Sequence, residues 1–170
     1  MLPRYSFLEI TDVAPEFIKK LGVRFLMLDL DNTVASYSER VPSPDVTKCV
    51  NEMKNSGTEL FIVSNSRRKG RVEIFADKLG IGFIKGAAKP SPKVLLQAIK
   101  AAGFKTEESA LLGDQIFTDT IAANRAGAVS IIVQPRSRNN PALALRYCLE
   151  MPFRAVSKKR NNRYTNEQPR

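Results

Sequence analysis

The sequence predicts an α/β fold: a doubly wound, Rossmann-like parallel sheet of about five strands with helices on both faces. Three observations carry this prediction. Short apolar runs alternate with amphipathic stretches, the runs are almost continuously apolar, and several amphipathic stretches stop at a glycine. A continuous apolar run suits a strand covered on both faces, whereas a half-exposed strand would alternate. A β-α-β-α order with short joins closes into a parallel sheet.

The elements follow in order. Val13, Phe17 and Leu21 recur at i, i+4 and i+8, with Pro15 in the first turn and Gly22 closing. Residues 1–22 therefore predict an N-terminal helical segment packed against the sheet. Phe25–Leu28, Leu60–Val63, Gly82–Ile84, Ala110–Leu112 and Val129–Val133 read as buried strands. The intervening helices are predicted over Asp45–Ser56, Arg68–Leu79, Pro92–Ala102 and Thr118–Ala126. Gly57, Gly80, Gly103 and Gly127 stand where a helix C-terminus favours glycine. A last helix follows Pro141. From Ala155 the chain turns polar and basic (Ser157-Lys-Lys-Arg-Asn-Asn-Arg163), which predicts one domain over 1–154 and a flexible tail over 155–170.

Composition excludes several chemistries. The 170 residues are 43% hydrophobic and 26% charged, as in an ordinary globular domain. No apolar run is long enough to cross a bilayer. Glu9, Asp12 and Glu16 fall where a leader peptide would be apolar, so a cytoplasmic location is expected, with peripheral contact at the inner face of the membrane left open. There is no histidine, which removes Ser-His-Asp hydrolysis and most zinc sites. The two cysteines, Cys49 and Cys148, are too few for a disulfide framework and are expected as small buried residues. Cys148 and Arg154 have the Cys-x5-Arg spacing of cysteine phosphatases. The intervening Leu-Glu-Met-Pro-Phe lacks the glycines of an anion loop, so the match is taken as chance. The net charge is +10, with basic residues concentrated after Gln134 and in Arg67-Arg68-Lys69-Gly70-Arg71. Such patches suit an anionic partner (a phosphorylated substrate, a nucleic acid or an acidic lipid surface) or a solvated face.

Doubly wound sheets bind ligands at the carboxyl ends of their strands. The first strand runs into Asp29-Leu-Asp31-Asn-Thr33, the second ends at Ser64-Asn65-Ser66, Lys89-Pro-Ser-Pro follows the third, and the fourth ends at Gly113-Asp114 with Asp119 beyond. Several carboxylates converging on one rim repel unless a cation sits among them. Oxygen ligands without histidine or cysteine favour a hard ion, and magnesium keeps open positions for phosphate. A lysine and a serine hydroxyl beside it would receive a phosphate. With no histidine or activated thiol, a carboxylate is the best remaining nucleophile. Spacing i, i+2 lets a second carboxylate handle the leaving group's proton.

These four ordered motifs resemble those of haloacid dehalogenase (HAD) phosphatases, over about Phe25 to Val133. The resemblance implies that Asp29 attacks phosphorus and binds the metal. Asp31 would be general acid and then base, with its main-chain carbonyl on the metal. Ser64 and main-chain N–H groups near Asn65 would hold phosphate oxygens, and Lys89 would neutralise both phosphate and nucleophile. Asp114 would be the principal side-chain ligand of Mg2+, and Asp119 would bind through water or orient Lys89.

Between Thr33 and Asp45, and between Ser64 and Lys89, there is no room for a cap domain, so a capless site is expected. The segment from Asp12 through Leu21-Gly22-Val23 into the first motif, with Ser64-Asn-Ser66 and Ala88-Lys89-Pro90, is similar to the capless subfamily IIIA group called the YqeG family. That family is similar to mitochondrial phosphatidylglycerophosphate phosphatases. The resemblance implies a magnesium-dependent phosphomonoester phosphatase acting on a lipid headgroup at an anionic membrane. Two alternatives stay open: a phosphatase for nucleotide, sugar or polynucleotide phosphates, and a nucleic-acid or ribosome-associated protein with a vestigial site.

Overall fold

The computed structural model describes residues 2–137 and 141–165, with 158–165 as backbone only. Six strands form one all-parallel sheet in the order β1-β6-β5-β2-β3-β4. They are β1 (Tyr5–Ser6), β2 (Phe25–Leu28), β3 (Glu59–Ser64), β4 (Gly82–Lys85), β5 (Ser109–Gly113) and β6 (Val129–Ile132). The helices are α1 (Pro15–Lys20), α2 (Pro44–Asn55), α3 (Arg71–Leu79), α4 (Lys93–Ala101), α5 (Ile121–Ala126) and α6 (Pro141–Thr165).

The core lies in two layers, one on each face of the sheet. Along β2, Leu26 and Leu28 join Ile18, Val50, Met53 and Phe75 on the α1-α2-α3 face. Phe25 and Met27 join Leu95, Ile99 and Ala122 on the α4-α5 face. Successive side chains of a strand point to opposite faces, so a strand that is apolar at every position must be covered twice. Each fully buried large side chain contributes about 1.5–3 kcal/mol.

Four local differences from the sequence reading have physical causes. β1 is an edge strand of two residues, too short to leave a periodic signal; Tyr5 pairs with Ile131, and its ring meets Phe17 edge-on. β4 closes the other edge and is largely exposed, so it is not one of the buried strands expected. Gly82 is required there because a Cβ would lie 2.6 Å from the Phe61 ring. α3 starts at Arg71 rather than Arg68, since Gly70 turns the chain with φ 74° immediately before it. α5 starts at Ile121, and the preceding residues, Ile116–Thr120, form a π-helical turn.

α6 runs on past the expected start of the tail. Its backbone stays helical through Thr165, and Ser157 is buried, donating to Pro3 O at 3.3 Å. The helix therefore continues past 154, so the segment expected as a flexible tail from 155 is helical at its start; residues 166–170 lie outside the described residues. Cys148 is also corrected: Cys49 is buried, but Cys148 is exposed on α6. No helix among the described residues is long and apolar enough to cross a membrane.

Candidate active site

The sheet order reverses beside β2, with β3 on one side and β5 on the other. Connections leaving in opposite directions open a crevice at the strand carboxyl ends. Asp29 is the first residue past β2, and Asp114 the first past β5. Asp119 comes from the π-helical turn, where its Oδ2 accepts the Gln115 N–H at 3.0 Å. Gly113 makes room for it, since a Cβ there would lie 2.4 Å from the Asp119 carboxyl carbon.

Asp29, Asp114 and Asp119 are 7%, 3% and 2% exposed, and each offers an oxygen within 4.8 Å of the others. Lys89 reaches into this cluster after β4. Its Nζ stands 2.5 Å from Asp29 Oδ1 and 2.7 Å from Asp119 Oδ1, and donates to Val63 O at 2.9 Å. The Thr33 hydroxyl lies 3.3 Å from Asp29 Oδ2 and 3.4 Å from Asp114 Oδ1.

The electrostatics of this cluster are unbalanced. Burial pushes the Asp29 carboxyl up to about 7 against the pull of Lys89, and Asp119 adds repulsion. Asp114 is raised well above its ordinary value, first by burial and then by Asp29 and Asp119. Burial disfavours the charged form of Lys89, yet Asp119 and Asp29 outweigh it and hold the lysine above its usual value. One ammonium faces three buried carboxylates. The all-oxygen donor set fits a hard divalent cation held by Asp29 and Asp114, with Asp119 beside them.

Asp31 stands outside the three-carboxylate cluster. Its side chain pairs with Arg71 at 2.7 Å, and the contact with a metal expected of Asp31 is through its main-chain carbonyl. Ser64 is fully buried, and its Oγ accepts the Ser66 N–H at 3.0 Å. Asn65 commits its side chain to Lys89: Oδ1 accepts the lysine's N–H at 3.1 Å and Nδ2 donates to its carbonyl at 3.2 Å. The side chain thus places the lysine, and a phosphate contact by Asn65 would fall to its main chain. A cavity of about 630 Å³ opens over Asp29, Asp31, Ser64 and Lys89, with Arg67, Arg68 and Arg146 also on its lining.

Three supporting residues escape the sequence reading. Arg71, the last of the mid-chain basic run, is buried beside Asp31 rather than at the cavity mouth. Arg154 is 6% exposed; it donates to Val133 O at 3.1 Å and to the main-chain carbonyl of Asp114, and pairs with Glu150 at 2.9 Å. Glu150 in turn accepts the Phe117 N–H at 3.1 Å. α6 thereby braces the loop that carries Asp114. Arg154 and Cys148 share one helix, with the cysteine exposed, so the Cys-x5-Arg spacing builds no anion loop. No short motif announces these residues, because apart from the Glu150–Arg154 pair what they touch is far away in sequence.

The family model for haloacid dehalogenase-like hydrolases matches residues 4–127. A Bacillus subtilis protein described as probable phosphatase YqeG is 35% identical over 134 residues, covering 79% of this chain and 77% of its own length. The Arabidopsis thaliana phosphatidylglycerophosphate phosphatase 1 is 24% identical over 81% of this chain, which spans only 42% of that enzyme. In fold, the chain is similar to the 3-deoxy-D-manno-octulosonate 8-phosphate phosphatase of Moraxella catarrhalis, with a TM-score of 0.52 and 17% identity over 90% of this chain and 98% of that one. With no cap inserted over the crevice, the chain belongs to the haloacid dehalogenase-like hydrolase family, as one of its capless, YqeG-related phosphatases.

Proposed function

We propose that this phosphatase is magnesium-dependent, acts through an aspartyl phosphate on Asp29, and takes phosphatidylglycerophosphate as its substrate. The observation that carries the reading is the meeting of Asp29, Asp114 and Asp119 around Lys89 at the floor of an uncapped cavity.

An Asp29 carboxylate oxygen attacks phosphorus while the bond to the leaving oxygen breaks, and Asp31 gives that oxygen a proton. Asp31 then takes a proton from the water that opens the aspartyl phosphate, releasing phosphate and restoring Asp29. Lys89 and the Ser64 hydroxyl hold phosphate oxygens, and Thr33 keeps Asp29 and Asp114 in register. Magnesium, when bound by Asp29, Asp114 and the Asp31 main chain, supplies positive charge against the phosphoryl oxygens.

The lipid substrate draws on the likeness to the plant phosphatidylglycerophosphate phosphatase and on the open cavity. Arg67, Arg68 and Arg146 on its lining suit a substrate with anionic groups beyond the reacting phosphate. At an anionic bilayer each such residue contributes about 1 kcal/mol of attraction. The test is phosphate release from phosphatidylglycerophosphate in mixed micelles, beside nucleotide, sugar and polynucleotide phosphates, with magnesium and with EDTA. The reading requires a preference of at least about tenfold for the lipid, abolished by EDTA. Equal rates across the panel would remove the lipid; no release from any ester would remove the enzyme.

A further inference from the structure

The mid-chain basic run divides in two. Arg67 and Arg68 border the cavity, whereas Arg71 is 7% exposed and does not. Its guanidinium is committed instead to one segment of the chain. Nε donates to Asp31 Oδ1 at 2.7 Å, one terminal nitrogen to Ser36 O at 2.7 Å, and the other to Glu39 O. The group also lies 5.0 Å over the ring of Phe75, one turn along α3, which is fully buried. At the other end, Glu39 closes the segment on itself by accepting the Ser36 N–H at 2.5 Å, and pairs with Arg136 at 3.6 Å.

Resting on the phosphatase reading, we propose that Arg71 is the positioning residue for Asp31. Its planar fork ties the acid to residues 36–39 and to α3, and sets the carboxylate facing the leaving group. Only a guanidinium can serve three acceptors in one plane, and burial between Phe75 and the segment fixes its rotamer. Asp31 Oδ1 is held by Arg71, and no other side-chain donor among the described residues reaches the carboxylate. Oδ2 is therefore the oxygen left for the substrate at the cavity. Arg71 itself is not on the cavity lining, and its guanidinium is committed to Asp31, Ser36 and Glu39.

The test uses Arg71→Met and Arg71→Lys with two esters, in single turnovers with enzyme in excess. Dinitrophenyl phosphate leaves without needing a proton, whereas an alkyl phosphate such as phosphatidylglycerophosphate in mixed micelles needs one from Asp31. Arg71→Met should slow alkyl ester cleavage about 100-fold, the scale of general acid catalysis, and change dinitrophenolate release less than about threefold. Arg71→Lys, which keeps a charge beside Asp31 but not the fork, should fall between. Equal losses for both esters, or none for either, would overturn the assignment. Hydrogen exchange supplies a readout independent of activity: amides within residues 31–39 should exchange faster in Arg71→Met, while those of β2 and β5 stay protected. Unchanged exchange at 31–39 overturns the positioning itself. A wild-type protein that cleaves neither ester overturns the phosphatase reading and the acid role with it.

Discussion

Replacing Lys89 with methionine leaves a side chain of similar length and removes the ammonium that touches Asp29, Asp119 and Val63 O. The lysine side chain is 1% exposed, so water cannot take its place without opening the core. Breaking a buried ion pair from one side costs about 3–5 kcal/mol. For a domain of this size that corresponds to a melting point lower by about 6–20 °C. The loss depends on pH in a definite direction. Burial already pushes the Asp29 carboxyl from its ordinary value of 3.8 up to about 7, so the contribution linked to its protonated form is fully present below about 4 and is lost as pH rises through 7. Without Lys89 the folded value climbs further, and the penalty grows from pH 5.5 to pH 8. Calorimetric melting in EDTA at the two pH values measures this, and added magnesium should recover part of the loss at pH 8. A shift under about 2 °C at pH 8, or an equal shift at both, would refute a buried lysine compensating buried carboxylates.

Other perturbations reach the same site from different sides. Gly113→Ala puts a methyl group 2.4 Å from the Asp119 carboxyl carbon, so it should cost about 1–3 kcal/mol in denaturant unfolding and lower turnover together; unchanged stability would mean that Asp119 is not packed there. Arg154→Met unties the Asp114 carbonyl from α6, and should raise the magnesium concentration for half-maximal activity about 10–100-fold; an unchanged magnesium titration would place α6 outside the site. Of the two cysteines, Cys148 is exposed, while Cys49 is buried with its thiol pushed up to about 11 by that burial. A chromogenic disulfide reagent should modify one thiol quickly and the second only in guanidinium.

The parallel sheet was legible because β2 is apolar at every position and β5 and β6 nearly so, and only strands covered on both faces, as these are, tolerate that. The edges were less legible. β1 is too short to carry a period, and the exposed β4 reads as another buried strand. At the site, Asp29, Asp31, Ser64 and Asp114 could be picked out because each stands at or next to the carboxyl end of a strand, where the sheet itself sets position. Their supports could not. Arg67, Arg68 and Arg71 are alike as letters, yet two border the cavity and the third is buried, and that division is set by the turn at Gly70 and the packing on Phe75. Arg154 reads as part of a basic surface, whereas Val133, Asp114 and Glu150 give it a buried seat.

Asp29 as the phosphoryl acceptor is the claim on which the mechanism turns, and acid-quench mass spectrometry during turnover tests it most directly. The account predicts a hydroxylamine-labile phosphoryl group on the peptide carrying Asp29, absent in Asp29→Asn and absent when EDTA precedes substrate. Turnover with no such adduct, with the group on another residue, or with activity intact in Asp29→Asn would contradict it.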